Sequence, residues 1–195
     1  MIETSLRKTY QKICIDPFLA IKSVQRVHPT IFTLGAFFTG VSVFPLLAFG
    51  YSWVALSFML FSGFLDTLDG SAARLRHLSS PKGAAMDIVS DRMVECAIVL
   101  GLAFVDLDTR GLPALLMLGS ILICVTSFLV VGVFTENRTE KSFYYSPGLI
   151  ERAEAFIFFT AMILFPFAFL PLAYLFSFLV LTTACIRMYQ FLRDC

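Results

Sequence analysis

Charge is what this chain has least of. Asp, Glu, Lys and Arg make up 15% of its 195 residues, where soluble globular domains carry about 25%. The net charge of +1 comes without a basic stripe, which excludes the electrostatic footprint of a nucleic-acid binder. Cysteine is equally uninformative for chemistry. The five, Cys14, Cys96, Cys124, Cys185 and Cys195, form no CxxC pair, so neither a disulfide framework nor a zinc site is expected, and they read as small packing residues. Internal repeats, low-complexity tracts and linkers are absent too, and a single domain over residues 1–195 is expected. What remains is apolar. Hydrophobic residues make up 58% of the chain, with 22 Phe, and the mean hydropathy is +0.82. That leaves too little polar surface to cover a soluble sphere, and it indicates an integral membrane protein.

Uncharged runs set the number of expected spans. Residues 29–65 are 37 positions without a formal charge, far beyond the ~20 that cross a bilayer as one helix. They must form two spans, with a turn within 45–51. Residues 111–135 make one span, and the 32 uncharged residues 155–186 supply most of two more, turning near Pro166 and Pro171. Residues 96–105 are apolar but only ten long. They cross only if the helix starts near Gly83 and carries Asp87, Asp91, Arg92 and Glu95 inward. The expectation is an all-α protein with six transmembrane helices, roughly 30–49, 51–76, 83–105, 111–135, 151–166 and 168–190. With six, every Lys and Arg except Arg110 falls on or near one side, which the positive-inside rule makes cytoplasmic. Both termini then lie there, as expected for a bacterial inner-membrane protein.

Charged residues interrupt the N-terminus before any adequate apolar stretch, so a cleaved signal peptide is not expected. Residues 3–26 read instead as an amphipathic helix in the headgroup plane. Leu6, Tyr10, Ile13, Pro17 or Phe18, and Ile21 form its apolar stripe among Arg7, Lys8, Lys12, Lys22 and Arg26, and Pro17 kinks or divides it.

Charges inside membrane helices are costly, at least about 2.5 kcal/mol each on insertion scales, and so ask for a purpose. Here they cluster. Asp66, Asp69 and Ala73 share one face of the second expected span, and Asp87 and Asp91 are i, i+4 on the next. A short loop between those spans brings four carboxylates towards one spot at the cytoplasmic end. Arg74 and Arg92 supply some counter-charge, and hard divalent ions, Mg²⁺ or Mn²⁺, suit the all-oxygen remainder. Gly70, Ala73, Gly83 and Ala84 around them either let helices approach closely or leave room for a ligand.

These residues carry a resemblance. Asp66-Thr-Leu-Asp69-Gly70-Ser-Ala-Ala73-Arg74, eight residues, then Gly83-Ala-Ala-Met-Asp87-Ile-Val-Ser-Asp91 is similar to the signature of the CDP-alcohol phosphatidyltransferases, D-x2-D-G-x2-A-R-x8-G-x3-D-x3-D. The resemblance implies one such domain, with residues 1–28 as its interfacial region and 29–195 as its six-helix bundle. It implies transfer of a phosphatidyl group from a CDP-linked lipid to an alcohol, with release of CMP, by a homodimer using two metal ions. By the same resemblance Asp66, Asp69, Asp87 and Asp91 are metal ligands, and Asp91 is also the base for the incoming hydroxyl. Asp69, Gly70, Ala73, Arg74 and Gly83 would bind the CDP donor. Many relatives carry Pro-Asn-x-x-Thr before the first span. Here Pro29-Thr30-Ile31-Phe32-Thr33 puts Thr30 where Asn would stand, and His28 beside it reads as an interfacial residue.

The acceptor is less legible. Arg138, Lys141, Arg152 and Arg187 would suit a phosphorylated polyol, such as glycerol 3-phosphate or an inositol phosphate. Gly148-Leu-Ile-Glu151-Arg152 looks similar to a segment of the inositol-phosphate-using branch, whereas Lys141-Ser-Phe-Tyr144-Tyr145 resembles a bacterial branch of unassigned acceptor. Two rival classes also place acids in or near membranes. A cation transporter would set them near the midplane of a longer, often repeated chain, and an Asp-rich prenyltransferase is typically longer and spaces its acids differently.

Overall fold

The computed structural model describes residues 10–21, 24, 26–78, 80–134, 150 and 152–194, and all regular structure among them is helical. Among the described residues, three helical stretches are long and apolar enough to cross a bilayer: Pro29–Ala48, Leu107–Phe134 and Pro166–Arg193. The protein is an integral membrane protein. The described residues divide into two compact units, the first ending at Val105 and the second beginning at Asp106.

The first unit opens with a π-helical turn, Gln11–Ile15, running into α1, Asp16–Leu19. Pro17 has no N–H to return to the preceding turn, and the widened turn lies directly before it. Ile15 and Leu19 are buried against Leu68 and Ala72. Tyr10, Ile13, Phe18 and Ile21, the apolar stripe expected from the sequence, are the exposed ones. Leu6, Arg7, Lys8 and Lys22 lie outside the described residues.

Next come α2, Pro29–Val41, and α3, Val43–Ala48. His28 caps α2: its Nδ1 accepts from the Thr30 N–H at 3.4 Å and lies 3.0 Å from the Thr30 hydroxyl. Both side chains are thus engaged with each other at the helix start. The turn expected within 45–51 comes at its end. Pro45 sits in the first turn of α3, where a missing N–H costs nothing, and the chain reverses at Gly50, whose φ of 82° favours glycine.

The helices α4, Ser52–Leu75, and α5, Pro81–Phe104, carry the signature, and α2 packs along both of them. Two local devices reverse the chain between them. At the end of α4 the Leu78 N–H bonds to the Ala73 carbonyl and the His77 N–H to that of Arg74, a Schellman cap. At the start of α5 the Ser80 hydroxyl accepts from the Gly83 N–H at 3.1 Å, with Pro81 at the first helical position. The Schellman cap places His77 at φ 54°, where glycine is preferred. His77→Gly is expected to stabilise the protein by roughly 0.5–1 kcal/mol, read as a rise in the thermal midpoint in detergent.

In the second unit, α6, Leu107–Phe134, packs along α8, Phe169–Asp194, and α7, Arg152–Leu164, also packs on α8. α6 begins four residues before the uncharged run that marks it in the sequence, because its polar first turn is well used. Asp106 accepts from the Thr109 N–H and hydroxyl, at 3.3 and 2.6 Å, and these bonds hold its carboxyl below the usual range. Arg110 donates from Nη2 to the Pro166 carbonyl at 3.1 Å and lies 4.8 Å from the Phe169 ring centroid. It thereby fixes the short 3₁₀ turn Pro166–Ala168 that reverses the chain. Pro171, by contrast, sits within the first turn of α8.

Candidate active site

The paired helix ends bring three of the four aspartates into one group. Asp66 and Asp69, one turn apart on α4, and Asp87 on α5 each offer a carboxylate oxygen, and these lie within 4.8 Å of one another. Asp69 is buried, and Asp66 and Asp87 are half-buried. Asp91 follows Asp87 by one turn along α5, also half-buried. Glu95, the next position on that stripe, is buried and pairs with Arg92 at 2.7 Å. Three carboxylates this close repel unless a cation joins them. Their all-oxygen donor set matches hard divalent ions.

Glycine geometry separates packing from open space. A Cβ on Gly70 would meet only the Arg74 guanidinium, 3.4 Å away at its nearest, and one on Gly83 only the Ser80 hydroxyl, also at 3.4 Å. Both are ordinary contacts with side chains. Tight helix packing therefore does not require either glycine. It does at Gly40 of α2, where a Cβ would lie 2.5 and 2.6 Å from the Val94 methyls and 2.7 Å from the Ser62 hydroxyl. The signature's small residues thus leave backbone accessible beside the carboxylates, while the close approach comes from α2.

Arg74 is exposed on α4, and its Nη2 donates to the Ser71 hydroxyl at 3.1 Å. Gln11 accepts from that same hydroxyl. The spacing of Ser71 and Arg74, i and i+3 on a helix, is a signal that could have found their contact; Gln11, 60 residues away, carries none. Arg76 ties the end of α4 to the chain before α2, donating to the Val27 carbonyl at 2.8 Å.

The basic residues expected to meet the acceptor divide differently. Arg138 and Lys141 lie outside the described residues, as do Gly148, Glu151, Tyr144 and Tyr145. In the second unit, Arg152 lies 5.6 Å from the Phe156 ring centroid. Arg187 is buried. Its Nη1 donates to the Cys124 carbonyl at 3.0 Å and the Ser127 hydroxyl at 3.1 Å, and its guanidinium lies 5.4 Å from the Phe128 ring centroid. Its Nε is buried with no hydrogen-bond partner among the described residues.

Helices apolar enough to span a membrane, with an acid cluster that could hold a metal ion and accessible backbone beside it, mark a membrane protein with a candidate active site. The chain belongs to the CDP-alcohol phosphatidyltransferase family, whose model matches residues 26–188, and it is a transferase of that class. It is 30% identical over 171 residues to the inner membrane protein YnjF of Escherichia coli, covering 84% of this chain and 82% of that one. The phosphatidylinositol phosphate synthase of Mycobacteroides abscessus is 28% identical over 152 residues, 77% of this chain and 68% of that one. Among solved structures, the fold is similar to that of the phosphatidylinositol phosphate synthase of Mycobacterium tuberculosis with CDP-DAG bound. The TM-score is 0.71 at 19% identity, over 97% of this chain and 91% of that one.

Proposed function

We propose that this protein transfers a phosphatidyl group from a CDP-linked lipid, of the CDP-diacylglycerol type, to an alcohol, releasing CMP. The observation that carries this is the convergence of Asp66, Asp69 and Asp87 within 4.8 Å, inside a signature whose glycines leave room beside them. Asp66, Asp69 and Asp87, with Asp91 one turn away, would hold Mg²⁺ or Mn²⁺ ions, two by the family resemblance. Such ions, when bound, neutralise a diphosphate and stabilise a departing CMP. Gly70, Ala73 and Gly83 line the cytidine side, Asp69 contributes to the same donor site, and Arg74 faces the donor phosphates. Asp91 takes the proton of the incoming hydroxyl. As a carboxylate it is a weak base, so its contribution rests on position against that hydroxyl.

The wider arrangement follows the same reading. Helices α4 and α5 are 24 residues each, about 36 Å at the helical rise. That length supports six spans in one domain, with the N-terminal segment at the membrane surface. Charge placement puts the termini and the site on the cytoplasmic face of a bacterial inner membrane, where a water-soluble acceptor and a lipid donor both have access. A homodimer agrees with the family. A cation transporter is not favoured, because the acids lie within a transferase signature.

A phosphorylated polyol is the acceptor the basic residues suit best. Arg138, Lys141, Arg152 and Arg187 would meet its phosphate. The test is CMP release by purified protein with CDP-diacylglycerol and each of glycerol 3-phosphate, inositol 1-phosphate, inositol, serine and phosphatidylglycerol, with products identified by mass. A phosphorylated acceptor is expected to react. Arg187→Lys should then raise its KM about tenfold while leaving that of the donor unchanged. Reaction with an uncharged alcohol alone would remove the basic residues from the acceptor site.

A further inference from the structure

The N-terminal segment reaches the signature helix through hydrogen bonds that all run one way. Arg74 Nη2 donates to Ser71 Oγ at 3.1 Å, Ser71 Oγ donates to Gln11 Oε1 at 3.1 Å, and Gln11 Nε2 donates to Asp16 Oδ1 at 3.0 Å. The chain begins on a cation and ends on a carboxylate, so each bond polarises the next in the same sense. The Ser71 hydroxyl and the Gln11 amide each act as donor and acceptor, which leaves little freedom in how either is turned.

The surroundings hold this line in place. Ser71 is buried, so losing a partner there would leave a polar group unsatisfied away from water. Ile15 and Leu19 lock the N-terminal segment onto Leu68 and Ala72, on either side of Asp69 and Gly70 in sequence. Partial burial and the nearby Cys14 push the Tyr10 hydroxyl above the usual tyrosine range, against the opposing pull of Thr67. At the far end, the Arg74 guanidinium rests by Gly70, with Nη1 3.4 Å from where a Cβ would stand. An arginine side chain is long and otherwise rotamer-rich. A bond from Nη2 on a planar fork constrains the direction of the guanidinium as a whole.

We propose that Gln11 and Ser71 are positioning residues for the donor diphosphate, holding the Arg74 guanidinium beside Gly70 and making the N-terminal segment part of the donor site. This rests on the reading of Arg74 as the residue that faces the donor phosphates. The segment's apolar outer side, Ile13, Phe18 and Ile21, is exposed. The relay therefore joins a surface suited to lipid to the recognition of a lipid-borne diphosphate.

The test is equilibrium binding of CDP-diacylglycerol to the purified full chain in detergent with Mg²⁺, which requires no acceptor. Ser71→Ala and Gln11→Met are each expected to weaken binding about tenfold, measured at a temperature where each variant is still fully folded. Ser71→Thr, which keeps the hydroxyl, should restore near wild-type affinity. Arg74→Ala should weaken binding at least as much, and Ser71→Ala added to it should cost nothing further. Unchanged affinity in both Ser71→Ala and Gln11→Met, or a loss that adds in full to that of Arg74→Ala, would overturn the relay while leaving Arg74 in the donor site. Wild-type affinity in Arg74→Ala would remove the reading on which the relay rests. A wild-type protein that does not bind the nucleotide-lipid at all would instead count against the proposed reaction.

Discussion

Asp69→Asn is expected to lower the rate of CMP release by about 10²–10³-fold while leaving the metal-free protein as stable as the wild type or more so. The two parts of this result point the same way. Asp69 is buried beside Asp66 and Asp87, all three carboxylate oxygens lying within 4.8 Å of one another. Without a cation, removing one negative charge relieves repulsion in low dielectric. A residue kept for structure would show the opposite sign. Adding Mn²⁺ should raise the thermal midpoint of the wild type, because an ion that binds only the folded state stabilises it. The variant should gain much less. Thermal unfolding in detergent, with chelator and then with Mn²⁺, reads both arms. Equal stabilisation by Mn²⁺ in the two proteins would mean that Asp69 is not a ligand.

Gly40→Val is expected to be the most disruptive single change to the scaffold. A Cβ at Gly40 would already stand 2.5 Å from a Val94 methyl and 2.7 Å from the Ser62 hydroxyl. That hydroxyl in turn donates to the Ala36 carbonyl at 2.6 Å. Val94 is buried and β-branched, so it has no easy rotamer by which to withdraw. Overpacking of this kind costs about 1–3 kcal/mol, and here it pushes α2 away from α4 and α5 together. Since those two helices carry the acids, the variant should lose activity as well as stability. Gly40→Ala should show part of both losses, and Val94→Ala added to it should recover most of them, because the second change opens the volume that the first one fills. The check is thermal unfolding alongside CMP release for Gly40→Val, Gly40→Ala, Val94→Ala and the double variant. Additive losses in the double variant would show that the contact at Gly40 is not what separates the helices.

The carboxylate cluster was legible before any coordinates because helix geometry alone links the positions. Asp66 and Asp69 at i, i+3, a short loop ending in Ser80-Pro81, and Asp87 one to two turns into the next helix leave little choice of where the acids meet. Gly70 and Gly83 were ambiguous for a physical reason. A small residue in a helix looks the same whether its space is filled by a neighbouring helix or kept for a ligand, and only the neighbouring atoms decide. The N-terminal segment was harder. Its apolar residues lie on more than one face, and the periodic set Tyr10, Ile13, Phe18 and Ile21 is exposed, while Ile15 and Leu19 are the buried contacts. In a membrane protein, lipid rewards an apolar outer face as water would not, so periodicity cannot tell inside from outside. The bond between Gln11 and Ser71 left no trace in the sequence, since it depends on how two distant segments pack.

The central claim is that this acid cluster serves phosphatidyl transfer from a CDP-linked lipid, and its most direct test is CMP formation from CDP-diacylglycerol by purified protein across the acceptor panel as Mg²⁺ or Mn²⁺ is titrated in. CMP release that rises from zero with the metal, matches the phosphatidyl product one for one and is lost in Asp91→Asn is the predicted result. Absence of CMP with every acceptor and both ions, together with metal-ion uptake by proteoliposomes of the same protein, would contradict the account and point to a transporter.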